Sequence, residues 1–146
     1  SGEPEYMDPL GDEAPEGWIV TGYPWSEITE GSGKVFVDAY MAKYDDHPRI
    51  GSLVGYMTVQ SIVAVLEKAG STDSEAIRAA FADLPVSTPV GDIKFRSQDH
   101  QATMGAYVGT IALKDDKGTL ESWVYKDGAD YTLSDEEVMK LRGSGN

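Results

Sequence analysis

The sequence predicts an α/β fold that does not close on itself. Three observations lead there. The element order reads as one strand, three helices, a short strand, a hairpin and a last helix. A complete doubly wound sheet instead alternates strand and helix throughout. The stretch Gly55 to Phe81 (GYMTVQSIVAVLEKAGSTDSEAIRAAF) opens with helix that is apolar on almost every side. Such a helix needs cover all round, and the remaining elements do not obviously supply it. The chain therefore reads as a piece of a larger α/β protein, or as a subunit that borrows its missing core from another copy.

Each element has a local reason. Residues 1–16 carry Pro4, Pro9, Gly11 and Pro15 and read as an irregular lead-in with one short helical turn. Gly17 to Gly22 (GWIVTG) is an apolar run between glycines, expected to be a buried strand. Pro24 lacks a backbone donor and ends it. Val35, Phe36, Ala39, Tyr40 and Tyr44 share one helical face from a start at Ser32 or Gly33. Asp45, Asp46 and Pro48 end that helix. Ser52 is expected to open the long helix, and Gly70 sits where a left-handed residue closes it. Thr72-Asp73-Ser74-Glu75 reads as a capping box for a helix with Ile77, Ala80, Phe81 and Leu84 on one stripe. Pro85 to Pro89 breaks the pattern. Gly91 to Arg96 alternates as a strand, with Ile93 and Phe95 on one side. Tyr107 to Lys114 and Leu120 to Tyr125 form a hairpin across Asp115-Asp116-Lys117-Gly118. Ser134-Asp135-Glu136-Glu137 caps a helix running through Leu141, and Gly143 to Asn146 reads as a frayed tail.

Composition narrows the partners. The chain has 146 residues, enough for one domain with a real core. Its net charge of −13 disfavours nucleic-acid phosphates and anionic membranes. The absence of cysteine excludes disulfides, thiolate metal sites and cysteine nucleophiles, and fits cytosol and periplasm equally. No apolar run is expected to reach bilayer-spanning length. No leader peptide is read, and SGEPEYMDPLGDEAPEG reads as mid-protein sequence.

Catalytic chemistry finds little support. Glu30-Gly31-Ser32-Gly33-Lys34 resembles a phosphate loop, but Ile28 replaces the leading glycine and Val35 the magnesium-binding hydroxyl. His47 and His100 stand in no zinc-ligand spacing. There is no GxSxG elbow. Asp99-His100 reads either as an acid–base pair or as a loop-fixing hydrogen bond. No catalytic residue, metal or cofactor is expected, and the chain is not read as an enzyme. Tyr23-Pro24-Trp25 is more informative, because two aromatics flank a proline just past a strand end, where open α/β sheets bind ligands. Spacing alone leaves two readings open: a ligand wall, or a cap on the core.

A resemblance adds to this. Gly55-Tyr56, Val59, Ile62, Leu66-Glu67-Lys68-Ala69-Gly70-Ser71, Asp73, Glu75, Ile77 and Ala80 resemble a signature of type I periplasmic solute-binding proteins of ABC transporters, the family of the branched-chain amino acid binders and extracellular ligand-binding receptors. Thr88-Pro89-Val90-Gly91-Asp92-Ile93-Lys94-Phe95, Asp99-His100-Gln101 and Pro15-Glu16-Gly17-Trp18-Ile19-Val20-Thr21 resemble further family segments. Each motif is weak alone, but four in order are specific and cover most of residues 14–126.

The resemblance implies a partial type I periplasmic-binding-protein fold, an incomplete three-layer α/β sandwich carrying pieces of both lobes from the C-terminal portion of such a protein. Residues 14–30 and 105–125 would belong to lobe two, 31–103 to lobe one, and 126–146 to a C-terminal tail with a short helix. It implies a periplasmic or extracytoplasmic ligand-binding component of an ABC importer. The solute would be a branched-chain or aromatic amino acid, or a related organic acid or amide, delivered to a membrane permease. The alternative is a sensory or regulatory domain of the same fold. Tyr23, Pro24 and Trp25 match the family's cleft-lining loop, and Gly51, Ser52 and Tyr56 match the segment entering the long helix. No nucleic-acid partner is implied. A fragment with an uncovered apolar helix is expected to be marginal as a monomer and to dimerise.

Overall fold

The structure is a computed structural model and describes residues 1–115 and 117–142. Asp116 of the hairpin tetrad and the Gly143 to Asn146 tail lie outside the described residues. The order is α1 (Pro4–Leu10), β1 (Ile19–Thr21), α2 (Gly31–Tyr44), α3 (Ile50–Ala69), α4 (Ser74–Ala80), β2 (Leu84–Thr88), β3 (Gly91–Phe95), β4 (Ala106–Lys114), β5 (Lys117–Lys126) and α5 (Asp135–Arg142). Short 3-10 turns lie at Gly11–Glu13, Trp25–Glu27 and Gly128–Asp130.

The strands form two separate sheets, β1-β4-β5 and β2-β3. Every pairing among the described residues is antiparallel. Three helices separate β1 from β2, yet the two strands do not share a sheet. Helices between strands ordinarily serve as crossovers in a parallel sheet. Among the described residues they have no second parallel strand to return to, which is the incompleteness that the element order predicts.

The β4–β5 hairpin runs in register from Lys114 opposite Lys117 to Ala106 opposite Lys126. A bulge interrupts it, where Ser122 and Trp123 face the single residue Gly109. Ser122 takes a φ of 49°, the cost of inserting an extra residue. β1 joins the other side of β4, with Val20 opposite Gly109. Residues 1–3 extend this edge: the Gly2 N–H donates to the Thr21 carbonyl at 2.7 Å. A Cβ at Gly22 would run into the Gly2 carbonyl, so glycine is required there.

One buried cluster joins both sheets to the helices, with Tyr23, Phe36, Leu53, Met57, Val65, Leu84, Val86, Ile93, Tyr107 and Leu120 at its centre. A smaller one, Met7, Ala14 and Ile111, seats α1 against β4. At the other end, α5 docks on the loop after β3. Arg96 reaches Asp135 at 2.6 Å, and Arg142 donates to the Gln98 carbonyl at 3.0 Å.

The long helix is covered on one face only, not on all sides as its apolar sequence demands. Leu53, Met57, Ser61 and Val65 recur every four residues and form the buried face. Val54, Tyr56, Val59, Ile62, Val63 and Leu66 remain substantially exposed. Gly70 closes the helix at φ 58°, donating to the Leu66 carbonyl.

Several expectations need correction. The run Gly17 to Gly22 is not a buried strand. It narrows to three residues at a sheet edge, with Trp18 65% and Ile19 79% exposed, because β1 pairs on one side only. The long helix opens at Ile50 rather than Ser52, whose hydroxyl instead accepts from the Arg49 N–H. The cap of α4 is Asp73 rather than Thr72: its carboxylate accepts from the N–H groups of Glu75 and Ala76. Leu84 begins β2 rather than extending α4, and the Pro85–Pro89 break is largely strand. Pro85 is tolerated because β2 has a partner on one edge only. Finally, α3 has 20 residues and a mean hydropathy of 1.4 over its most apolar window, so by length and composition it is long and apolar enough to cross a membrane. Its polar residues hide this in the sequence: the Thr58 and Ser61 hydroxyls donate to the Val54 and Met57 carbonyls of the same helix.

Candidate functional site

Two recesses receive the residues singled out above, and they share no lining residue. The first holds about 420 Å³, within the span of small-molecule sites. It lies where β1 leaves its sheet, and Tyr23, Pro24 and Trp25 form one wall. Pro4, Met7 and Asp8 of α1, Glu27, Lys114 and Leu120 complete it. The second is an open groove of about 1160 Å³ between α2 and α3. It contains Gly51, Ser52 and Tyr56 beside Phe36, Tyr40, Tyr44 and Lys43. The structure therefore brings Tyr23, Pro24 and Trp25 together and leaves Ser52 and Tyr56 apart from them.

Tyr23 and Trp25 play different roles. The Tyr23 ring is only 2% exposed and packs against Tyr107, with centroids 6.0 Å apart. Burial, then neighbouring Tyr107, pushes its phenol well above the usual tyrosine range. Tyr107 is likewise pushed up to about 12 by burial and then Tyr125. Both hydroxyls are neutral at physiological pH. The Tyr23 hydroxyl is buried and has no hydrogen-bond partner among the described residues. Trp25 is half-buried. Its indole stacks on the His47 ring at 4.5 Å with 12° between planes.

His47 is the residue that sequence reasoning missed as part of this site. In the sequence it stands in no zinc-ligand spacing. Its Nε2 lies 2.9 Å from Asp8 Oδ2, and its Nδ1 lies 3.3 Å from Asp46 Oδ1. Asp46 is also held by Arg49 at 2.7 Å, and its carboxyl stays below the usual range chiefly through that hydrogen bond. The adjacent acid in Asp46-His47 was the available signal. Nothing in the spacing pointed to Trp25, 22 positions upstream, or to Asp8.

The groove has a simpler chemistry. Ser52 Oγ donates to the Tyr40 hydroxyl at 3.1 Å, and Tyr56 packs on Phe36 at 5.1 Å. Gly51 and Gly55 leave open space on the α3 surface. Its walls are mostly apolar or aromatic. The phosphate-loop-like Lys34 is committed to Asp38 one helical turn on. Asp99 accepts from the Gln101 N–H at 3.0 Å and pairs with Arg96 at 3.4 Å, so its carboxylate ties down a loop. Among the described residues no group of three His, Cys, Asp or Glu side chains is placed to hold a metal ion.

Comparison with known proteins agrees with this architecture. The profile of the periplasmic binding protein family matches residues 1–119. The chain belongs to the periplasmic binding protein family. Among solved structures it is similar to an ABC-type branched-chain amino acid transporter protein from Rhodopseudomonas palustris. That match has 22% identity and a TM-score of 0.73, over 85% of this chain and 34% of that one. It is also similar to the leucine-, isoleucine-, valine-, threonine- and alanine-binding protein of Brucella ovis in a closed conformation. There the identity is 22% and the TM-score 0.68, over 86% of this chain and 35% of that one. A third is a solute-binding protein of an ABC transporter from Rhodopseudomonas palustris in complex with p-hydroxybenzoic acid. Its identity is 18% and its TM-score 0.69, over 94% of this chain and 37% of that one. These likenesses establish the fold, and the chain spans about a third of each relative's length. No curated protein sequence matches.

Proposed function

We propose that this chain supplies part of the extracytoplasmic ligand-binding component of an ABC importer. Its loop Tyr23-Pro24-Trp25 would form an aromatic wall of the solute cleft. The observation that carries this is Trp25 itself. It is a half-buried aromatic at the mouth of a recess just past a strand end, in a chain of a ligand-binding family. A flat aromatic face suits the aromatic or branched apolar part of a solute, and Asp8, Glu27 and Lys114 of the same recess suit its charged or polar groups. Two relatives fit that class: one is named for leucine, isoleucine and valine among its ligands, the other holds p-hydroxybenzoic acid.

The two-sheet arrangement supports a division between lobes. Residues 14–30 and 105–125 would contribute the β1-β4-β5 sheet to lobe two. Residues 31–103 would contribute α2, α3, α4 and the β2–β3 hairpin to lobe one. The exposed face of α3 and the groove holding Ser52 and Tyr56 would then lie against lobe-one structure outside this chain. Delivery to a membrane permease would belong to the whole protein.

The test is a fluorescence titration of a protein of the relatives' full length against leucine, phenylalanine and p-hydroxybenzoate. Wild type should respond to at least one, and Trp25→Ala should weaken that binding ten-fold or more, about 1.4 kcal/mol. A wild-type affinity left intact by Trp25→Ala removes Trp25 from the cleft.

A further inference from the structure

Three segments distant in sequence converge on one imidazole. Asp8 comes from α1, Trp25 from the 3-10 turn after β1, and Asp46 and Arg49 from the connection between α2 and α3. The His47 side chain is 21% exposed at the centre of this group. We propose that His47 is the positioning residue for Trp25, and that its protonation sets how firmly the Tyr23-Pro24-Trp25 loop is held against the helices. The ligand-facing role of Trp25 rests on the function proposed above; the clasp itself does not.

Charge gives the reason. His47 has a carboxylate near each nitrogen, Asp8 at 2.9 Å and Asp46 at 3.3 Å. The Nε2 hydrogen bond with Asp8 bridges α1 to the α2–α3 connection, while Asp46 pairs with the ring from within that connection. A neutral ring that keeps its Nε2–H retains the hydrogen bond to Asp8, but without its positive charge it loses the charge assistance of that bond and the ion pairing with both carboxylates. The same proton decides the stack. A cationic ring lying on an indole face gains a cation–π attraction that a neutral ring lacks. Loss of one proton thus weakens the carboxylate bridge and the grip on Trp25 together. Imidazole is the side chain whose charge ordinarily changes between about pH 5 and pH 8.

The surrounding charges are arranged for this. Asp46 is kept in place whatever the state of the ring, because Arg49 holds one oxygen at 2.7 Å and the His47 N–H donates to the other at 2.8 Å. Arg49 also approaches Asp8, at 3.9 Å, and Glu5 of α1 acts on Arg49. In the turn that carries Trp25, Glu27 faces Lys114 at 3.4 Å rather than the imidazole.

The experiment is an NMR titration of the 146-residue chain between about pH 5 and about pH 8. It follows the indole N–H resonance of Trp25, assigned by its loss in Trp25→Phe. A single pH-dependent shift is expected in wild type, together with greater acrylamide quenching of Trp25 at the high-pH end. His47→Gln should abolish the pH dependence of both, and Asp8→Asn should reduce it. His47→Phe keeps a flat ring on the indole and has no titrating nitrogen. It should leave the resonance fixed, and it serves should His47→Gln unfold. A wild-type indole that does not move overturns the proposal, as does one that moves equally in His47→Gln or His47→Phe. No ligand enters this measurement, so its failure is separable from a silent ligand titration.

Discussion

Glu3 and Tyr23 lie side by side, and each carries a polar group that burial penalises. The Glu3 carboxyl is raised above its ordinary value of 4.5, first by burial and then by the like charge of Glu5. A hydrogen bond from the Tyr23 N–H partly offsets this. A raised folded-state value means that the group's stabilising contribution is complete below about pH 4.5 and is lost as pH climbs through the folded value. Glu3→Gln should therefore raise the melting temperature at about pH 7, with the gain vanishing near about pH 4. Differential scanning fluorimetry at both values checks the sign. Tyr23 makes a complementary case. Its buried hydroxyl has no partner among the described residues, so Tyr23→Phe should be neutral or slightly stabilising, whereas Tyr23→Ala should cost about 3–5 kcal/mol in denaturant unfolding. If that hydroxyl contacts solute in the full-length protein, Tyr23→Phe will weaken binding without lowering stability. At this scale the sequence was only partly legible. It marked Tyr23-Pro24-Trp25 as a unit but left open whether the aromatics face ligand or core. The structure divides them, with Tyr23 in the core and Trp25 at the recess, because a side chain's surroundings depend on segments its neighbours in sequence do not specify.

Among the elements, α3 is the sharpest case of local legibility. Its start is shifted by two residues, but Gly70 ends it as the left-handed stop that the sequence indicates. The hairpin and the Ser134 capping box are equally local: Ser134 Oγ and Glu137 exchange hydrogen bonds across three residues. β2 was missed because proline in Leu84–Thr88 reads as a break. Only its one-sided pairing with β3 makes Pro85 acceptable. The two faces of α3 should respond differently to truncation. Leu53 is 1% exposed, and Leu53→Ala should cost about 2–5 kcal/mol. Val63 is 48% exposed, and Val63→Ala should stay within about 0.5 kcal/mol in the 146-residue chain. In a protein of the relatives' full length, Val63→Ala should cost more if lobe-one structure covers that face. Urea denaturation of both variants in both lengths makes the comparison.

For the whole molecule, the balance between apolar surface and cover decides behaviour. A chain spanning about a third of its relatives' length carries a 20-residue helix with most of its circumference open. Alone, the 146-residue chain is expected to self-associate through that surface, since a second copy can shelter it. Sedimentation should show dimer or larger species that Val59→Lys combined with Ile62→Lys returns to monomer. A well-folded wild-type monomer would count against it. On the function proposed above, the chain alone should bind solute far more weakly than a protein of the relatives' full length, since it would hold only part of the cleft.

What the sequence determined by itself was everything governed by near neighbours: the helical periodicities, the glycine stop, the hairpin, the incompleteness implied by the element order, and the family. Only the tertiary structure decided that β1 is an exposed edge, that Tyr23 is buried where Trp25 is only half-buried, and that His47 lies on Trp25 between Asp8 and Asp46. Local propensity acts over a few residues and leaves a pattern in the string. Burial, stacking and charge pairing act between segments that meet only when the chain has folded.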